Sequence, residues 1–149
     1  MRSVLFAIVM LVTIAKSQAQ NQVSEQFVYH QLDVLDAATN EVLESNDDFK
    51  GVVVSVLHEG KEYLLITFAD EKRFTITIVD KSEKIFDEMW RIKMYQGGEK
   101  IDGSVAYTAK VFFYYNIHKN THIPEAIHFV IDRSPYSYQL SGIMKLNNK

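Results

Sequence analysis

The chain has 149 residues, 47% hydrophobic and 23% charged, with a formal charge of −3, two prolines and no cysteine. These fractions belong to a folded globular domain and exclude disordered, collagen-like and low-complexity classes. Without cysteine there is no disulfide framework, no thiolate-held zinc or iron–sulfur cluster, and no thiol nucleophile.

Arg2 is the only charge ahead of a continuous apolar run from Val4 to Ala15, and Lys16, Ser17, Gln18 and Ala19 follow. A short basic start, a dozen apolar residues and small residues at 17 and 19 predict a signal peptide over 1–19, cut near Ala19/Gln20. The run is shorter than the roughly 20 apolar residues that span a bilayer, so no transmembrane segment is expected in the mature chain. Residues 20–149 are then read as a single β domain in a secreted or periplasmic protein. The lack of cysteine and of any Asn-x-Ser/Thr acceptor favours bacterial export. Cleavage removes Arg2 and Lys16 but no acid, which moves the formal charge from −3 to −5. That balance argues against nucleic-acid binding and leaves no basic patch for anionic lipid.

Residues 24–44 fit either a helix, with Val28, Leu32, Leu35, Ala38 and Val42 at spacings of three and four, or a hairpin turning at Ala37-Ala38-Thr39-Asn40. The hairpin is favoured because the neighbouring segments are strands. Val52-Val53-Val54-Ser55-Val56 is β-branched, Leu64, Ile66 and Phe68 share one side of the next run, and Phe74, Ile76 and Ile78 alternate with polar residues. Three strands are therefore expected as a meander over 51–79, joined near Gly60 and at Ala69–Lys72. Asp80 and Glu83 have capping-box spacing, and Ile85, Phe86, Met89 and Trp90 make a helical stripe, which predicts a short helix near 82–89. Alternation resumes at Trp90, is expected to break at Gly97-Gly98, and returns over Ser104–Asn116, Ile127–Ile131 and Tyr136–Leu146, with Ser134-Pro135 as a stop. The whole reads as all-β, an antiparallel meander of about eight or nine strands forming a barrel or a strongly curved sheet or sandwich.

Chemistry-bearing motifs are sparse. Ser141 lacks the glycine and the strand-to-helix setting of a nucleophile elbow, and Gly97-Gly98-Glu99-Lys100 lacks the phosphate-loop spacing, reading instead as a connecting turn. No cofactor is expected. No metal is expected either; His118, His122 and His128 are the residues that a metal site would have to gather. Phe112-Phe113-Tyr114-Tyr115 place two aromatics on each face of one strand. Phe113 and Tyr115 continue the apolar face; Phe112 and Tyr114 exceed what that face needs. With Trp90, Tyr136 and Tyr138, they are the expected ligand-binding residues. The reading is an exported, non-enzymatic module that holds a small apolar or amphipathic ligand. The alternatives are an envelope protein partner docked through an aromatic patch or edge strand, or a cofactor-free hydrolase or isomerase.

Overall fold

A computed structural model describes residues 21–48, 51–70, 72–101 and 104–146; the segment read as a signal peptide lies outside the described residues. Every regular element in it is a strand: β1 (Asn21–Tyr29), β2 (Gln31–Asp36), β3 (Val42–Asn46), β4 (Gly51–His58), β5 (Lys61–Phe68), β6 (Arg73–Phe86), β7 (Trp90–Ile101), β8 (Ser104–Asn116), β9 (Ala126–Ile131), β10 (Tyr136–Ser141) and β11 (Met144–Lys145). They form one antiparallel sheet in the order β11-β1-β4-β5-β6-β7-β8-β9-β10-β2-β3. Residues 24–44 thus form strands, with Asn40 in the left-handed conformation (φ 59°) that closes the β2–β3 turn.

Period-two alternation decides which side chains meet. Leu64 and Ile66 on β5, Ile76 on β6, Val111 and Phe113 on β8 and Ile127 and Phe129 on β9 join Phe27 and Tyr29 of β1 in one buried cluster. Each such side chain contributes roughly 1.5–3 kcal/mol through burial. A flat sheet could not build this core. β1 and β8 stand five places apart in the order, roughly 24 Å at the usual strand spacing. Yet the rings of Phe27 and Phe113 lie 6.1 Å apart, edge to face. Phe68 of β5 and Tyr138 of β10, also five places apart, lie 5.8 Å from each other. The sheet is therefore wrapped on itself around its aromatic interior.

Three sequence expectations need correction. The hydrogen-bonded order has two ends, β11 and β3, and does not close into a barrel; the strongly curved sheet is the alternative that the structure supports. No helix occupies 82–89. That stretch is the end of β6 and a turn, paired from Lys81↔Tyr95 to Phe86↔Trp90 with β7. Asp87 and Glu88 both have positive φ (52° and 51°), the geometry of a type I′ hairpin turn, and Ile85 and Phe86 stay 69% and 58% exposed. The apolar stripe had no second element to pack on, so strand pairing prevailed over the capping signal. Gly97 and Gly98 do not break β7 but lie within it. A Cβ on Gly97 would meet Thr77 O at 1.9 Å, and one on Gly98 would meet Tyr107 O at 2.2 Å. These glycines permit a close backbone approach beside the β6 bulge between Ile78 and Asp80.

Candidate functional site

One end of the wrapped sheet opens into a cleft of about 530 Å³. β2 supplies Leu32 and Val34, β5 ends in Phe68, β6 begins with Phe74, and β10 supplies Tyr138. Glu44 and Asn46 of β3 stand directly across from Val34 and Leu32, so they share that face and rim the opening. Asp70 and Lys72, from the β5–β6 turn, complete the rim.

The floor is aromatic and interlocked. Phe68 meets Phe74 edge-on at 5.4 Å, Phe74 meets Phe129 at 5.1 Å, and Phe129 stacks on Tyr138 at 6.0 Å. Such pairs prefer offset or edge-to-face contact and hold each other's orientation. At the rim Lys72 Nζ lies 3.2 Å from an Asp70 oxygen, while Asp70 Oδ1 accepts the Lys72 backbone N–H. Partial desolvation pushes the Asp70 carboxyl up; the Lys72 N–H and ammonium outweigh it, leaving the pKa below the ordinary value. Beneath the rim Tyr29 crosses Gly51, where a Cβ would meet its hydroxyl at 2.1 Å, and donates to Thr67 O. Burial first, and Asp70 second, raise the pKa of this phenol, so it stays protonated and serves as a donor. The cleft therefore offers an apolar wall with polar groups of both signs at its mouth.

A second groove, about 650 Å³, crosses the outer face of β5 to β8 between Tyr63, Thr75, Thr77, Gln96 and Val105. It is larger, but it lies on the outer face, where Tyr63 is the aromatic among its described residues and Lys61, Thr75, Thr77, Val79, Gln96 and Glu99 share the lining. Of the two, the first cleft combines an aromatic floor continuous with the core and convergent charges, the usual make-up of a small-molecule site.

The opposite end of the interior is charged. Arg91 and Lys93 both lie over the ring of Tyr115, at 5.2 and 5.3 Å, and Lys81 pairs with Glu62. Burial, together with Glu25, Glu62 and Glu83, pushes the Tyr95 phenol up to about 12.

The structure divides the expected ligand-binding residues. Tyr138 lies in the cleft. Trp90, Phe112 and Tyr114 lie on the opposite face of the sheet: Phe112 stands across from Met94 and His128, Tyr114 across from Ile92, and Trp90 across from Asn116. Tyr136, across from Asp36, is exposed and not among the cleft residues. Phe68, Phe74, Leu32 and Val34 are the cleft residues that the sequence reading missed. Phe68 and Phe74 belong to the inward sets of β5 and β6 and bracket one turn, a signal that was present in the alternation.

His118 and His122 are exposed in the β8–β9 connection, while His128 is half-buried on β9. Among the described residues no group of three or more His, Asp or Glu could hold a metal. His128 Nε2 lies 2.9 Å from Ser137 Oγ, a distance suited to a base and a nucleophile. Ser137, however, is 1% exposed, so this pair ties β9 to β10 rather than meeting a substrate. Burial pushes the His128 pKa down. Comparison with known proteins finds no match to a family model, a curated protein or a solved structure.

Proposed function

We propose that the protein is an exported binding module that takes one small amphipathic molecule into the cleft between Leu32, Val34, Phe68, Phe74 and Tyr138. The carrying observation is a cleft of about 530 Å³ with an interlocked aromatic floor and the Asp70–Lys72 pair at its rim. That volume falls within the range of small-molecule sites. A wall that is mostly aliphatic and aromatic surface selects an apolar body, and the charged rim selects a polar head. The sheet serves as a barrel-like container in this reading. In support, β1 and β2 are one chain bent at His30 and β10 and β11 one chain bent at Gly142. Phe27↔Lys145 and Gln31↔Ser141 keep a single register through both bends. Export rests on the apolar leader at 1–19 alone.

The test is titration with the fluorescent amphiphile anilinonaphthalene sulfonate, with dodecanoate and dodecanol as competitors. Saturable binding to the folded protein is expected, weakened about ten-fold or more by Tyr138→Ala and unchanged by Phe112→Ala. Equal binding by both variants, or none by the wild type, would overturn the reading.

A further inference from the structure

β6 outruns its neighbour. β5 pairs with it only from Thr67↔Arg73 to Tyr63↔Thr77, whereas β7 follows it to Phe86↔Trp90. Residues 80–86 therefore form an edge with a partner on one side only, and every side chain from Val79 to Phe86 is exposed. The backbone groups that face this edge can be identified. Met89 N–H donates to Phe86 O, which directs Phe86 toward β7. Antiparallel ladders alternate, so Ser82 and Lys84 point the same way, while the N–H and C=O groups of Lys81, Glu83 and Ile85 face outward.

From this geometry we propose that the β6 edge pairs antiparallel with the same edge of a second copy of the chain, about a two-fold axis at Ser82. In that register Asp80 stands across from Lys84 of the second copy, Lys81 across from Glu83, and Ser82 across from itself. Both symmetry-related halves carry the same two attractive pairs. Lys81 and Glu83 are both edge-facing, so they exchange hydrogen bonds, and Ser82 occupies the close pair between them. The neighbouring registers fail. An axis at Lys81 or Glu83 sets that charge against itself, and an axis between residues sets an edge-facing group against one directed at β7.

Alternating charge ordinarily protects an edge strand from indiscriminate pairing. Here the order of signs, Asp-Lys-Ser-Glu-Lys, rejects unlike edges while complementing its own copy. Lys81 already contacts Glu62, and Glu83 lies 3.9 Å from Arg91. Both are exposed pairs of small individual value, so neither holds its residue away from a new partner. The β6 bulge beside Asp80 ends the free run at the sheet body. The interface is separate from the aromatic cleft and does not depend on it.

Sedimentation equilibrium of the purified protein over a concentration series tests the proposal, with amphiphile binding and thermal melts as controls. The wild type is expected to dimerise. Lys84→Glu, which sets two carboxylates across from each other twice per dimer, should raise the dissociation constant about ten-fold or more while leaving cleft binding unchanged, and melting unchanged at concentrations where both proteins are monomeric. Asp80→Lys combined with Lys84→Glu restores the pairs with signs exchanged and should restore the dimer. Glu83→Pro, which removes an edge-facing N–H and no β7 bond, should give a folded monomer. A wild type that stays monomeric, a dimer indifferent to Lys84→Glu or Glu83→Pro, or a double variant that stays monomeric would each overturn the proposal.

Discussion

Phe112 and Phe113 are neighbours in the chain and opposites in the fold. Phe113 is 2% exposed, locked against Phe27 and Tyr95, while Phe112 lies half-buried on the outer face beside His128. Phe113→Ala should therefore cost about 3–5 kcal/mol, as large truncations of packed aromatics do, and Phe112→Ala clearly less, both read by denaturant titration. Equal losses would mean that the outer face is packed as tightly as the core. His128 makes a second prediction at this scale. Burial lowers its pKa from 6.5, so above that pH both folded and unfolded chains carry it neutral. As pH falls through 6.5 the unfolded chain takes the proton first, and stability is lost progressively towards the lower folded value. His128→Gln, which can still bond Ser137, should flatten that slope in chemical denaturation at pH 7 and pH 5. An unchanged slope would place the titrating group elsewhere.

At the scale of elements, the strands that were legible are those with one face buried. β5, the first part of β6, and β8 alternate because half of their side chains enter the interior, and the sequence carries that rhythm openly. The end of β6 carries no such rhythm. It is an edge strand, paired with β7 alone and exposed from Val79 onward, so burial imposes no period on it, and Asp80, Glu83, Ile85 and Phe86 imitate a capped helix. A turn substitution separates the two structures. Glu88 has φ 51°, a conformation that costs a side-chain-bearing residue roughly 1 kcal/mol and glycine almost nothing. Glu88→Gly should therefore raise stability by about 0.5–1 kcal/mol in a thermal melt. In a helix the same change would lower it by about 1 kcal/mol. Gly97-Gly98 misled for a related reason: glycine marks both turns and close backbone approaches, and only the packing of Thr77 O and Tyr107 O against these positions tells which.

The whole molecule explains why the cleft was hard to foresee. Its walls come from β2, β5, β6 and β10, which the chain orders along a sheet and only curvature brings together. Alternation identifies which side of β5 faces inward, but not that Phe68 ends opposite Tyr138. Tyr138 was legible as a phenol on a late strand. Phe68 and Phe74 were legible only as core, which they also are. Trp90, Phe112 and Tyr114 looked like surplus aromatics, and they are surplus to this interior; the wrapped sheet places them on its outer face, on the other side from the cleft. The functional reading therefore stands on where the sheet curves back towards itself. The measurement that tests it most directly is two-dimensional NMR of the isotope-labelled protein titrated with dodecanoate, following backbone amides and aromatic side chains. The account predicts saturable shifts concentrated at Leu32, Val34, Phe68, Asp70, Lys72, Phe74 and Tyr138, with Trp90, Phe112 and Tyr114 unmoved. Shifts centred on Trp90, Phe112 and Tyr114, or no saturable shift at all, would contradict it.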